Sequence, residues 1–279
     1  MIVTRFAPSP TGLLHLGHAF AAIRALEAGE RFILRIEDLD TTRSRDEFVA
    51  AVCEDLHWLG IRWPEPVLRQ SQRSTAYQAA LHKLDALGLT YPCFCTRKEI
   101  TTEMARAAEA PSGPDGPIYP GTCRHLTPIE RDARISSGLP HAVRLDATKA
   151  AENAGPLAFQ EQGQGMNGDT GTIRVQPRLF GDIVLARKDL PASYHLAVVI
   201  DDAYQGVTLV TRGEDLFAAS HVQRLLQALL GLPEPGYAHH KLILDNSGKK
   251  FSKRDKSITL RALRESGWTP QQIRSTLQL

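Results

Sequence analysis

Two histidines at a spacing of three, His15 and His18, follow a run holding Pro8, Pro10 and Gly12. Proline fixes φ and stiffens the exit of a strand. Gly12 allows a backbone conformation that a side chain would forbid, or the close approach of a ligand. His15 and His18 would lie one turn apart at a helix N-terminus, where free N–H groups and positive potential attract phosphate. Two imidazoles add donors for the same anion. Gly17 between them removes a side chain, so a flat group can lie against the backbone. On residue types alone, a zinc half-site or a pair of surface histidines competes with this reading.

A second cluster has metal chemistry. Cys93 and Cys95 form C-x-C, and Cys123 follows downstream. Tetrahedral zinc needs four ligands, and only three cysteines are close in sequence. His125 is the ordinary choice for the fourth. Cys53 falls on the apolar side of an expected helix, so packing suits it better. Three reduced thiols without metal remain the competing reading.

A third feature is basic. From Lys241 to Leu279 there are nine Lys/Arg and three acids, so this stretch carries +6 and the rest of the chain −4. A basic end on an acidic body suggests contact with a polyanion, against the alternative of a solvated surface helix. The Gly248-Lys249 pair lacks the earlier glycine of a Walker loop, which excludes that motif.

The elements that must position these groups read as follows. Met1–Phe6 and Arg31–Ile36 are strand candidates, separated by a helix over Gly17–Ala28 that ends at Gly29. Amphipathic helices are expected over Ser44–Gly60 and Ser74–Leu87. Strand, helix, strand with a glycine turn opens a nucleotide-binding α/β unit. Near Tyr91 the character changes, and Pro92–Gly163 reads as an inserted, loop-rich subdomain. Regular pattern returns near Phe180, with strands expected at His195–Ile200 and Val207–Thr211 and a helix at Ala218–Leu230. Ser257–Leu279 reads as one or two short helices. There is no internal repeat.

The chain has 279 residues, 42% hydrophobic and 23% charged, the composition of a globular protein of roughly two domains. A net charge of +2 by itself says nothing about nucleic acid. No run approaches the ~18 apolar residues of a membrane helix, and no signal peptide is read at the start, so no membrane partner and a cytoplasmic location are expected.

H15-L-G-H18 closely resembles the H-I-G-H signature of class I aminoacyl-tRNA synthetases, and R5-F-A-P-S-P-T-G12 before it resembles the glutamyl and glutaminyl branch. K250-F-S-K-R254 is similar to that family's K-M-S-K-S loop, with Phe251 for Met and Arg254 for Ser. R35-I-E-D-L-D40, S193-Y-H-L-A-V-V-I-D-D202 and R212-G-E-D-L216 also match the branch. The resemblance covers nearly the whole chain. It implies an α/β fold: a Rossmann-type parallel sheet with an inserted zinc-containing subdomain and a short helical C-terminal tail. The expected divisions are 1–90 and 179–240 for the two catalytic halves, 91–178 for the insert and 241–279 for the lysine loop and tail.

The resemblance implies a glutamate site formed by Arg5, Phe6, Ala7, Pro8, Ser9, Glu37, Tyr194 and Arg212. In it Arg5 and Ser9 bind glutamate, Glu37 takes the α-amino group, and Tyr194 and Arg212 complete the pocket. From residue types alone, a core tyrosine and an ion pair of Arg212 with Glu214 or Asp215 would be preferred. The implied ATP site comprises Gly12, His15, Gly17, His18, Lys250, Ser252 and Lys253, with His15, His18 and Lys253 catalytic and Mg²⁺ accompanying ATP. The implied zinc set is Cys93, Cys95, Tyr119 and Cys123, a structural site with a phenolate ligand.

The chain stops about 25 residues after the lysine loop, too short for the helical anticodon-reading domain of glutamyl-tRNA synthetases. That points to the shortened members of the branch, the glutamyl-Q tRNA(Asp) synthetases. The implied partners are L-glutamate, ATP and queuosine-containing tRNA(Asp), and the expected state is a monomer. A conventional 3′-charging synthetase, a smaller nucleotidyltransferase and a non-catalytic zinc and RNA-binding module are the competing readings.

Overall fold

The computed structural model describes residues 1–106, 112–114, 116–243 and 258–279. The first part of the chain is β1 (Val3–Phe6), α1 (Leu16–Ala28), β2 (Arg31–Ile36), α2 (Asp46–Trp58), β3 (Leu68–Arg69) and α3 (Ser74–Ala86). The middle holds β4 (Thr90–Cys93), α4 (Arg97–Arg106), β5 (Ser112–Gly113), β6 (Gly116–Pro117), α5 (Pro128–Ser136), β7 (Ala142–Leu145), α6 (Ala147–Ala154), β8 (Ala158–Glu161), β9 (Gly171–Arg174) and β10 (Val184–Ala186). The last part is α7 (Tyr194–Tyr204), β11 (Leu209–Gly213), α8 (Ala219–Leu230), β12 (Gly236–His240), α9 (Leu260–Glu265) and α10 (Pro270–Leu277).

β1, β2 and β3 pair in parallel in that order, and β11, β12 and β8 form a second parallel group with β9 antiparallel at its edge. The groups meet along β1 and β11, where the Thr208 N–H donates to the Val3 carbonyl at 3.0 Å. Alternation in β1 and β2 decides what lies on each face. Phe6, Phe32, Leu34 and Ile36 point into a core built with α1, α2, α9 and α10. Val3 and Ile33 point the other way, into a core shared with Val210, Phe217 and Tyr237. Arg5 and Arg35 have the parity of Val3 and Ile33. Two guanidiniums are thus buried on that face and require a buried acid.

That acid comes from α7. The run H-L-A-V-V-I, expected as a strand over His195–Ile200, is helical within Tyr194–Tyr204. A short, wholly apolar run does not separate a buried strand from a buried helix. Leu196–Val199 are buried because β-sheet and α3/α8 cover the helix on both sides. Ser193 caps it, accepting from the Leu196 N–H. Its two acids then face different neighbours. Asp201 accepts from Tyr77 Oη at 2.7 Å, Gln70 Nε2 at 2.9 Å and Arg73 Nε at 3.1 Å, while Asp202 turns to the arginines of β1 and β2.

The expected loop-rich insert is more regular than its proline and glycine content suggested. β4, β7 and β10 make an antiparallel sheet, α4, α5 and α6 lie among them, and β8 joins β12. Three arginines of the basic tail have acidic partners within the chain. Arg264 and Arg261 pair with Glu54 of α2, and Arg274 with Glu27 of α1 at 2.6 Å. They fasten α9 and α10 to the body. Leu260 N–H donates to the Leu14 carbonyl at 2.8 Å, beside a bridge between Thr259 and His15. The loop from Lys250 to Arg254 lies outside the described residues. No helix among the described residues is long and apolar enough to cross a membrane.

Candidate functional site

A cavity of about 430 Å³ opens at the C-terminal ends of β1 and β11, where ligands of open α/β sheets bind. Arg5, Phe6, Ala7, Pro8, Ser9, Glu37, Tyr194 and Arg212 all line it, with His18 at its α1 side. Thr211, Gly213, Leu216 and Ala21 line it as well. Residues far apart in sequence meet here because β1, β2, β11 and the start of α7 converge. Gly12, Gly17 and His15 are not part of that wall; Gly12 lies on the approach to α1, His15 caps it and Gly17 is in its first turn. Lys250, Ser252 and Lys253 lie outside the described residues.

Asp202 anchors the floor. Arg5 Nε donates to Asp202 Oδ1 at 3.0 Å, Nη2 to Oδ2 at 3.3 Å, and Nη1 to the Thr211 carbonyl at 3.2 Å. Three N–H groups are used and two are left for the cavity. Arg35, wholly buried, donates Nη1 to Asp202 Oδ1 at 2.7 Å and Nη2 to Glu37 Oε1 at 3.3 Å. Burial pushes the Glu37 carboxyl above its ordinary value, opposed by Arg35 and Arg5. A ligand ammonium beside Glu37 would favour its ionised form.

Arg212 does not pair with Glu214 or Asp215. Its Nη1 donates to Tyr194 Oη at 3.3 Å and Gln223 Oε1 at 2.8 Å, its Nη2 to Ser220 Oγ at 2.6 Å, and its Nε to His239 Nε2 at 3.0 Å. Tyr194 lines the cavity, and its hydroxyl is satisfied by Arg212. Sequence reasoning passed over Arg35, Asp202, Ser220, Gln223, His239 and Glu161. Arg35 and Asp202 stood inside the quoted runs. A charged residue in an otherwise apolar strand or helix was the available signal.

His15 caps α1. Its Nδ1 accepts from the Gly17 N–H, and His18 Nδ1 accepts from the His15 N–H, both at 3.2 Å. Each neutral ring therefore carries its proton on Nε2, a donor. The rings lie 3.8 Å apart. The left-handed glycines do not include Gly12 or Gly17.

The sulfur atoms of Cys93, Cys95 and Cys123 lie within 4.8 Å of one another. Tyr119 Oη is 3.4 Å from both Cys93 Sγ and Cys95 Sγ, and Cys95 Sγ is 3.3 Å from Cys123 Sγ. Ligands about 2.3 Å from one zinc sit at such mutual spacings. His125 is exposed and outside this cluster. Burial pushes the Cys95 thiol up to about 12 and the Tyr119 hydroxyl above its ordinary value, and a divalent cation is the charge that would reverse both. The residues present fit a metal. Cys53 lies apart, half-buried against the α1–α2 core.

Comparison with known proteins agrees with this geometry. The family described as tRNA synthetases class I (E and Q), catalytic domain, matches residues 1–279. A glutamyl-Q tRNA(Asp) synthetase of Rhodobacter capsulatus is 49% identical over 286 residues, spanning 100% of both chains. One of Nocardia farcinica is 42% identical across 98% of this chain and 82% of its own. A glutamate–tRNA ligase of Aquifex aeolicus is 40% identical, with 98% of this chain matching 55% of the ligase. Among solved structures, a glutamate tRNA ligase from Elizabethkingia meningosepticum in complex with its amino acid superposes with a TM-score of 0.73 at 28% identity. The match covers 91% of this chain and 52% of that one. With its parallel sheet, its paired histidines and a match along its whole length, the chain belongs to the class I tRNA synthetases of the E and Q group, a family of ligases.

Proposed function

We propose that this chain activates L-glutamate with ATP, without tRNA, and transfers the glutamyl group to queuosine at the wobble position of tRNA(Asp). One observation carries the first half: Arg5, Ser9, Glu37, Tyr194 and Arg212 face one cavity with His18 beside it. Two arginines suit a side-chain carboxylate, and Glu37 suits the ammonium. The name borne by the Rhodobacter capsulatus and Nocardia farcinica relatives supports the second half.

In the activation step an oxygen of the glutamate α-carboxylate attacks the α-phosphorus of ATP in line, and pyrophosphate leaves. Nε2–H donors of His15 and His18, and Lys253, would stabilise the developing charge. Mg²⁺ would arrive with the phosphates of ATP. In transfer, a hydroxyl of the queuosine cyclopentenediol attacks the acyl carbon, AMP leaves and the hydroxyl proton is lost. On this reading residues 1–90 and 179–240 are the catalytic halves, 91–178 the insert and 241–279 the lysine loop and tail. Cys93, Cys95, Tyr119 and Cys123 would hold one structural zinc, filling all four positions with protein.

A second reading, charging of a tRNA 3′ end, is favoured by the 40% identity to the Aquifex aeolicus glutamate–tRNA ligase. ATP–pyrophosphate exchange with glutamate, tRNA omitted and aspartate and glutamine as controls, tests the activation step. Exchange with glutamate alone supports it. Exchange only after tRNA addition favours the second reading, which queuosine-containing and queuosine-free tRNA(Asp) then separate by product.

A further inference from the structure

Glu161, His239 and Arg212 form a buried line that ends at the proposed glutamate cavity. They come from β8, β12 and β11, three adjacent strands. Glu161 Oε2 lies 2.5 Å from His239 Nδ1, and Glu161 Oε1 accepts from the backbone N–H of His239 at 2.9 Å and of Gly163 at 2.8 Å. Gly163 can come this close because a Cβ there would collide with the His239 backbone. The carboxylate is thus fixed before it meets the ring.

The other ring nitrogen settles the proton. Arg212 Nε donates to His239 Nε2 at 3.0 Å. A guanidinium only donates, so Nε2 must accept, and it accepts only when unprotonated. The proton of the neutral ring is therefore on Nδ1, where Glu161 receives it. With Nε on His239, both Nη1 hydrogens on Tyr194 and Gln223, and one Nη2 hydrogen on Ser220, four of the five Arg212 N–H groups are committed. The fifth, on Nη2, is left for a ligand. Tyr194 Oη accepts from Arg212 and so keeps its own proton to donate.

We infer that His239, held by Glu161, is a positioning residue for Arg212: it sets the guanidinium plane that receives the substrate's side-chain carboxylate, and a proton on its Nε2 undoes that arrangement. This rests on the proposed glutamate activation. The charged and titratable groups facing the ring are Glu161 from β8, Arg212 from β11 and His240, the next residue of β12. Ser220 of α8 lies 3.5 Å from Nε2, and the rings of Phe217 and Tyr237 complete the surroundings. Burial pushes His239 below its ordinary value against the pull of Glu161, so the ring is neutral at pH 7 and takes a proton only on acidification.

The test measures glutamate KM and ATP KM separately by pyrophosphate exchange, from about pH 5 to 8, for the full chain and for His239→Ala and His239→Gln. Loss of one charge-assisted contact to Arg212 raises the glutamate KM of His239→Ala roughly 10- to 100-fold, with ATP KM within about twofold. His239→Gln, whose amide oxygen accepts from Arg212 without titrating, restores most of the affinity and makes the acid-side rise in glutamate KM shallower than in the wild type, leaving the part due to Glu37. An unchanged glutamate KM in His239→Ala overturns the inference. So does a wild-type acid limb persisting in His239→Gln, or an equal loss for both substrates that Gln does not rescue. If the wild type shows no glutamate-dependent exchange, the functional reading fails and this inference falls with it.

Discussion

Asp202 holds Arg5 with both carboxylate oxygens, at 3.0 and 3.3 Å, and its Oδ1 also receives Arg35 at 2.7 Å. One acid on α7 thereby neutralises arginines on two strands. Asp202→Ala leaves two buried guanidiniums short of a partner and is expected to cost about 3–5 kcal/mol. Denaturant unfolding at neutral pH measures it. A loss below about 1 kcal/mol would mean the arginines find water or another acid.

Arg5→Ala removes a cavity-lining guanidinium that has two N–H groups not used within the protein. Glutamate KM should rise roughly 100-fold, the scale of a lost charged contact, while ATP KM changes little. Equal loss for both substrates would place Arg5 outside the glutamate site.

Lys253 has its role from resemblance alone. Lys253→Ala should slow pyrophosphate exchange by roughly 10²- to 10³-fold, the scale of removing one transition-state donor, and leave the unfolding midpoint unchanged. Near-normal exchange removes Lys253 from the mechanism.

The cysteine–tyrosine cluster should carry about one zinc per chain by elemental analysis. A chelator should lower the melting temperature, because metal binding is coupled to folding of a subdomain with little core. Tyr119→Phe should lose zinc to the chelator sooner than the wild type. Metal-free protein with the same melting temperature would sink the structural role.

Asp55 on α2 is fully buried, and both its carboxylate oxygens lack a hydrogen-bond partner. Arg264 comes no nearer than 3.8 Å. Burial pushes the carboxyl up to about 6 from 3.8. The folded state therefore holds a proton that the unfolded state has released. Stability falls as pH rises through that window and stays lower above it, by up to about 3 kcal/mol. Asp55→Asn should be more stable than the wild type at pH 7 and flatten this slope. An Asn variant that is less stable at pH 7 would refute the burial argument.

Much of the layout was legible because it rests on local chemistry. The apolar start of the chain, the branched residues of Arg31–Ile36 and the glycine after α1 place β1, α1 and β2 directly. The cavity gathers Arg5, Ser9, Glu37, Tyr194 and Arg212 from runs the sequence singled out. What escaped depends on which surfaces meet. The run at His195–Ile200 is apolar all round because α7 is covered on both sides, so no periodicity betrays the helix. Asp202 stands in a quoted run with no role until the parity of Arg5 and Arg35 shows where two positive charges must go. His239 looks like one more histidine in A-H-H-K, and only its place between Glu161 and Arg212 gives it a task. Arg261, Arg264 and Arg274 belong to the basic stretch of 241–279, and only the fold shows that they pair with acids of α1 and α2.

The parity of Arg5 and Arg35 also bears on folding fidelity. Side chains alternate along β1, so sliding it by one residue against β2 would turn Arg5 toward the apolar side under α1. Turned there, the guanidinium would lose Asp202, at a cost of several kcal/mol. The correct alignment of the first two strands is thereby enforced by the group proposed to read the substrate. Replacing Arg5 by an apolar residue would remove the proposed binding contact and, with it, a safeguard against misaligned chains.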